Sequence, residues 1–179
     1  MTFDRLAAHL DGLMSALAAW LASVGEGGDA AAASWWNTPY APGKWTRLQL
    51  AGHLIDSAAN NHQRFVRALL TAPGEMFIGP GYDQEGLVRV ERFDAEAPAL
   101  VCGLLLHYNR HLAHLFAHFP AASLDTLCRI GGDPPIPLAK LALDYVAHLE
   151  HHLRQLTGPD EAAAARLPFS GLPWPPSAG

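Results

Sequence analysis

The sequence predicts an all-α fold, a four-helix bundle with a long connection between its second and third helices. Three observations carry this. Four segments, each about 19 to 25 residues long, repeat apolar side chains at steps of three and four, the period of an amphipathic helix. Glycine or proline punctuates the ends of these segments, and no internal repeat or β-rich stretch competes with them. Of 179 residues, 50% are apolar and 16% charged, enough to fill one core and too few residues for two full-sized domains.

The first helix covers 4–24, where Leu6, Leu10, Leu13, Leu17, Trp20, Leu21 and Val24 form the stripe, and Gly25-Glu26-Gly27-Gly28 ends it. Residues 34–45 read as an aromatic loop with Trp35, Trp36 and Trp45, broken by Pro39, Pro42 and Gly43, so the loop should pack on the body of the protein. Thr46 and Gln49 form a capping box that opens the second helix, about 47–71, which stops before Pro73-Gly74. The segment 72–93 has no sustained period and is longer than most helix–helix connections; such a loop lids a site or is ill-ordered, and Phe77, Ile78 and Tyr82 favour a packed course. Asp94 can cap the third helix, with Pro98 in its first turn and Pro120 at its end. A second irregular connection, 121–136, leads to the fourth helix, about 138–156, closed by Gly158-Pro159. The domain is thus 1–158, and prolines make 159–179 a largely irregular tail after at most one Ala-rich turn.

Charge and composition narrow the function. Twelve basic against seventeen acidic residues give a net charge of −5, with Lys44 and Lys140 as the lysines, so no dense basic patch suits nucleic acid. Cys102 and Cys128 allow one disulfide at most and read as buried free thiols. Apolar stretches are interrupted by His, Asp or Arg short of 18 residues, and Asp4 stands where a leader would be positive. The expectation is a soluble, cytoplasmic protein that uses neither membrane nor nucleic acid as partner.

Histidine is the unusual entry in the composition, at ten residues, nine of them in three clusters. On the fourth helix, His152 projects about 25° and His148 about 65° from the centre of the inward stripe, one turn apart on one face. Such a pair can share a metal ion, or be two hydrogen-bonded core histidines. Asp144, one turn before His148, could accept its second ring N–H. On the third helix His107, His111, His114 and His118 flank the apolar stripe as a half-exposed row, with His111 nearest the core. On the second helix His62 lies on the apolar side. His53 falls in a polar row with Asp56, Asn60 and Arg64, which periodicity alone reads as a solvent face.

Gly43-Lys44-Trp45-Thr46 ahead of the run from Gln49 to Ser57, then Asn60 through Arg67, then Asp144 through Leu153, resemble in order and spacing the DinB/YfiT-like superfamily of metal-dependent four-helix-bundle proteins, over about residues 3–157. The resemblance implies one metal ligand from the second helix and a pair four apart on the last: His53, His148 and His152. It thereby overrides the periodicity at His53. An all-nitrogen set suits zinc, and nickel is chemically reasonable. The resemblance implies an enzyme, foremost a thiol-dependent transferase in which a low-molecular-weight thiol, activated at the metal, attacks a small electrophile. A metal-dependent hydrolase and a non-catalytic, metal-stabilised homodimer are its alternatives, and a homodimer is expected in any case. Within that frame Arg64 would hold a carboxylate of the thiol or acceptor. Asp56, Asn60 and Tyr82 would orient water or substrate, with Asp144 and His111 in support.

Overall fold

The computed structural model describes residues 2–24, 30–158 and 167–170. Its bundle consists of α1 (Phe3–Val24), α3 (Arg47–Leu69), α5 (Pro98–Ala117) and α6 (Leu138–Thr157). A short α2 (Ala30–Trp36) precedes α3, and α4 (Gln84–Glu91) lies between α3 and α5. Three short strands, β1 (Phe77–Gly79), β2 (Leu127–Ile130) and β3 (Ile136–Pro137), complete the fold. The glycine run 25–28 and most of the segment after Gly158 lie outside the described residues.

α1 packs chiefly on α5 and more lightly on α6, while α3 packs on α5 and α6. The α1 and α3 helices are therefore diagonal, as are α5 and α6. Chain order and neighbour order part company at both long connections. The apolar stripes of all four meet in one core, in which Leu10, Leu13, Met14, Leu17, Leu48, Phe65, Leu112 and Leu153 are fully buried or nearly so. By length and composition alone α1 would pass as a membrane span, although Asp4, Arg5, His9 and Asp11 interrupt it as the sequence predicts. Here its stripe from Leu6 to Leu21 is buried in the bundle.

The Thr46 capping box forms as the sequence predicts, with Gln49 N–H donating to Thr46 Oγ1 at 3.1 Å and Thr46 N–H to Gln49 Oε1 at 3.0 Å. Three local expectations need correction. Residues 30–36 are helical, where the aromatic loop was expected to begin at 34; Trp36 anchors α2 by complete burial, and Trp35 packs edge-on against Trp20. α5 is capped by Ala97 and not by Asp94, because Pro98 at the first helical position holds the preceding residue in an extended conformation. Asp94 instead sits in a 3-10 turn, 93–95. Both long connections also contribute strand. β1 pairs parallel with β2 and β2 antiparallel with β3, so the connection after α3 is stitched to the one before α6.

α4 begins at Asp83, whose carboxylate accepts from Gly86 N–H, and ends at Arg92 in the left-handed region. It lies over α3, with Val88 and Phe93 buried beneath. Gly52 makes this possible, since a Cβ there would come within 2.1 Å of the Phe93 ring. Between the two histidine positions 148 and 152 of α6, the fully buried Glu150 carboxylate accepts from His9 Nε2 at 2.7 Å and from the Ser170 N–H at 2.9 Å. This holds residues 167–170 against the bundle, with Arg154 stacked over Phe169.

Gly52→Ala should lower stability by about 1–3 kcal/mol, because overpacking against Phe93 outweighs the helix propensity gained. Gly12→Ala, which meets open space on α1, should be neutral or stabilising. Thermal unfolding of the two variants checks this; equal melting temperatures would show that α4 does not depend on the missing side chain.

Candidate metal centre

α3 and α6 bring three imidazoles together near one end of their interface. His53, one and a half turns into α3, is completely buried; His148 is buried, and His152, one turn along α6, is half-buried. His53 Nε2 lies 3.3 Å from His148 Nε2. The ligand atoms of all three residues fall within 4.8 Å of one another. Two nitrogens each bound 2.0–2.1 Å from a tetrahedral ion stand about 3.4 Å apart, so the first pair already has the spacing of two zinc ligands.

The outer ring nitrogens are oriented by neighbours. Ser57, one turn after His53, places its Oγ 3.2 Å from His148 Nδ1. Gln155 Oε1 accepts from His152 Nδ1 at 2.7 Å, which leaves the Nε2 of both α6 residues turned inward. Trp45 packs on the His53 ring at 5.0 Å between centroids and anchors its own Nε1–H on Glu85. His53 Nδ1 is buried without a hydrogen-bond partner among the described residues.

Burial governs the protonation of the cluster. It pulls the His53 and His152 pKa values down to about 4, helped at His53 by the charge of His152 and at His152 by that of His151, with the Gln155 hydrogen bond opposing. His148 is depressed furthest, by burial and then by the neighbouring histidines. All three are therefore neutral at pH 7, the form that offers a lone pair to a cation. With no carboxylate in the set, the donors fit a borderline divalent ion such as zinc.

Two cavities meet at His148. The inner one, about 400 Å³, is bounded by Ser57, Asn61 and Arg64 of α3, Tyr82, the turns at Gly81 and Gly131–Asp133, and Tyr145 and His148 of α6. The outer one, about 590 Å³, is bounded by Tyr40, Lys44, Trp45, Gln49, Glu85, His151 and His152. Gln84 lines both.

The structure brings together His53, His148, His152, Arg64 and Tyr82 of the residues singled out from sequence. The solvent-face reading of His53 is overturned. α4, Phe93 and Trp45 cover the polar row of α3, which periodicity cannot register because it reports the polarity of a face and not what lies on it. Asp144 lines the inner cavity but pairs with Lys140, and Ser57 takes the place beside His148 Nδ1 that was expected for Asp144. Asp56 is buried and lines neither cavity. Its carboxyl is pushed up to about 6 by burial and by the charge of Glu91. Asn60 turns its amide back to the Asp56 carbonyl, and the cavity residue is its neighbour Asn61. His111 is exposed and packs on His62, outside both cavities. Sequence reasoning missed Ser57, Asn61, Glu85 and Gln155; steps of four from His53 to Ser57 to Asn61 were the available signal for two of them.

A model of the DinB superfamily matches residues 2–156. No curated protein gives a significant match to the chain. Among solved structures, the chain is similar to YfiT from Bacillus subtilis, described as "a probable metal-dependent hydrolase with an unusual four-helix bundle topology". The identity is 23%, the TM-score 0.69, and the alignment covers 94% of this chain and 89% of that one.

Metal-free protein should lose stability in acid. The folded-state pKa values of the three histidines lie below the ordinary 6.5, so the unfolded chain binds protons that the folded chain refuses. Their contribution is complete above pH 6.5 and is lost as pH falls toward 4. Asp56, raised from 3.8 to about 6, works in the opposite direction over that interval, one group against three. Urea unfolding at pH 7 and pH 5 should differ by about 2–5 kcal/mol, with pH 7 the more stable. Equal midpoints would contradict burial of neutral imidazoles.

Proposed function

The chain belongs to the DinB superfamily, and from that premise we propose that it is a metal-dependent hydrolase of small molecules, with His53, His148 and His152 as the ligands of a divalent ion, zinc by preference. The observation that carries the reading is the convergence of three neutral imidazoles where two cavities meet. A divalent ion held by these three histidines would supply Lewis-acid chemistry to a water or a carbonyl oxygen. The similarity to YfiT supports hydrolysis over transfer to a thiol.

The chain's own residues divide the remaining work. Ser57 and Gln155 hold the ring orientations of His148 and His152. Glu85 is the carboxylate of the outer cavity, held by Trp45 Nε1–H at 3.1 Å, and would be the proton acceptor for hydrolysis there. The inner cavity receives the substrate, between Tyr82 and the α3 face of Ser57 and Asn61. Neither cysteine supplies a nucleophile: both are buried, and burial pushes the Cys128 thiol up to about 11.

Protein purified without nickel affinity should contain close to one divalent ion per chain by elemental analysis. His148→Ala and His152→Ala should each lose it; retention in both would remove the site. The loaded protein should hydrolyse 4-nitrophenyl acetate with no added thiol, whereas turnover of an electrophile that requires a thiol would establish the transferase instead. Glu85→Gln should lower kcat by about 100-fold at unchanged metal content. An unchanged kcat would take Glu85 out of the reaction.

A further inference from the structure

We infer that the inner cavity is a carboxylate-binding subsite, with Arg64 as the residue that selects an acidic substrate; the inference rests on the hydrolase reading for the reaction and adds the class of molecule it acts on. His53, Ser57, Asn61 and Arg64 follow one another at steps of four, four and three, so they lie along one face of α3. The first belongs to the metal cluster and the other three line the inner cavity.

Arg64 is a half-buried cation with no carboxylate in direct contact among the described residues, although Asp133 and Asp144 line the same cavity. Its Nη1 donates to Asn61 Oδ1 at 3.3 Å and its Nη2 to the Pro80 carbonyl at 3.1 Å. Its guanidinium carbon lies 5.3 Å from the centre of the Tyr82 ring. No carboxylate among the described residues stands within 4.0 Å of it; the attraction of Asp133 is felt from further away. These contacts are to neutral groups, and they position the guanidinium while leaving several of its five N–H donors uncommitted. A half-buried cation so held gains from an anion that meets its planar fork, and a carboxylate matches that fork with two parallel hydrogen bonds.

The opposite wall is built for close approach. The turns Gly79-Pro80-Gly81 and Gly131-Gly132-Asp133 are joined by the hydrogen bond from Gly131 N–H to the Gly79 carbonyl at 2.9 Å. Gly81 and Gly131 are near enough that a Cβ on Gly131 would meet the Gly81 backbone at 3.5 Å, so the glycines keep this part of the rim low, and Asp133 is the side chain it adds to the cavity. Seven residues of helix separate Ser57 from Arg64, about 10 Å along the axis, and helical side chains lean back toward the N-terminus. The reacting carbon at His148 and the carboxylate at Arg64 are therefore a few bonds apart in the ligand.

Mono-4-nitrophenyl glutarate and 4-nitrophenyl butyrate form a pair that differs chiefly by such a carboxylate. The metal-loaded protein should prefer the glutarate ester by at least tenfold in kcat/KM. Arg64→Gln should bring the ratio near one at unchanged metal content, and Arg64→Lys should restore part of it. Glutarate binding to metal-free protein, followed by calorimetry, should weaken at least tenfold in Arg64→Gln. Asp133→Asn removes the native carboxylate from the same rim, keeps Arg64 in position, and should tighten glutarate binding at least threefold, so the test survives if Arg64→Gln fails to fold. Glutarate binding unchanged in Arg64→Gln or in Asp133→Asn would overturn the subsite. Arg64-dependent glutarate binding without turnover of either ester would retain the subsite and reject hydrolysis.

Discussion

Three imidazoles withdrawn from water in an apolar bundle are the constraint around which this protein is arranged. Each carries a ring nitrogen that must find a partner, and each is too deeply placed to be charged at neutral pH. The α3–α6 contact resolves this by turning the nitrogens of His53 and His148 toward one another and bringing His152 alongside. Much of the neighbouring architecture serves that contact. The diagonal placement of α1 against α3 frees α3 to touch α6, and Gly52 lets Phe93 and α4 settle over the adjacent turn. Ser57 and Gln155 set the rings from behind.

The bundle was legible in the sequence because its information is local. Apolar residues at steps of three and four, the Thr46–Gln49 box and Gly158 after the last helix each act within a few residues, and each appears where it was read. What was illegible depends on partners distant in the chain. β1 is three residues long and pairs with a strand some fifty positions later, too short to show a period and too remote for a turn signal. His53 is the instructive case. Its row with Asp56, Asn60 and Arg64 is polar, and an isolated helix would give that row to solvent. In the folded chain α4, Trp45 and the sheet-bound turns cover it, and the family resemblance identified His53 where periodicity pointed away. The Asn60 and Asn61 pair shows the same limit at the scale of one residue. A rotation of 100° decides which amide faces the cavity, and only the packed neighbours set the zero of that rotation.

Rigid and adaptable parts of the molecule are kept separate. The three histidines stand on two long helices whose backbones are fixed by the core, so the cluster keeps its spacing. The cavity walls come from connections instead: the turn 38–46 with Trp45, the α4 segment with Gln84 and Glu85, and the paired turns at 79–81 and 131–133. The short sheet ties the last two together without lengthening either helix. Such a division lets the recognition surface change while the cluster stays as it is.

The donor set by itself does not choose a reaction. Three neutral ligands leave the full charge of a divalent ion in place, and that charge would lower the pKa of a bound water or of a bound thiol alike. The choice rests on what the walls provide. Under the proposed hydrolysis, Glu85 would be the place for a proton and Arg64 the place for the acyl portion, on either side of the cavities that meet at His148. The outer wall carries both a cation, Lys44, and a carboxylate, Glu85, so its charges alone do not separate water from a thiolate. Thiol transfer needs a second organic molecule beside the electrophile, and it would have to fill the outer cavity, against Trp45, Lys44 and Glu85.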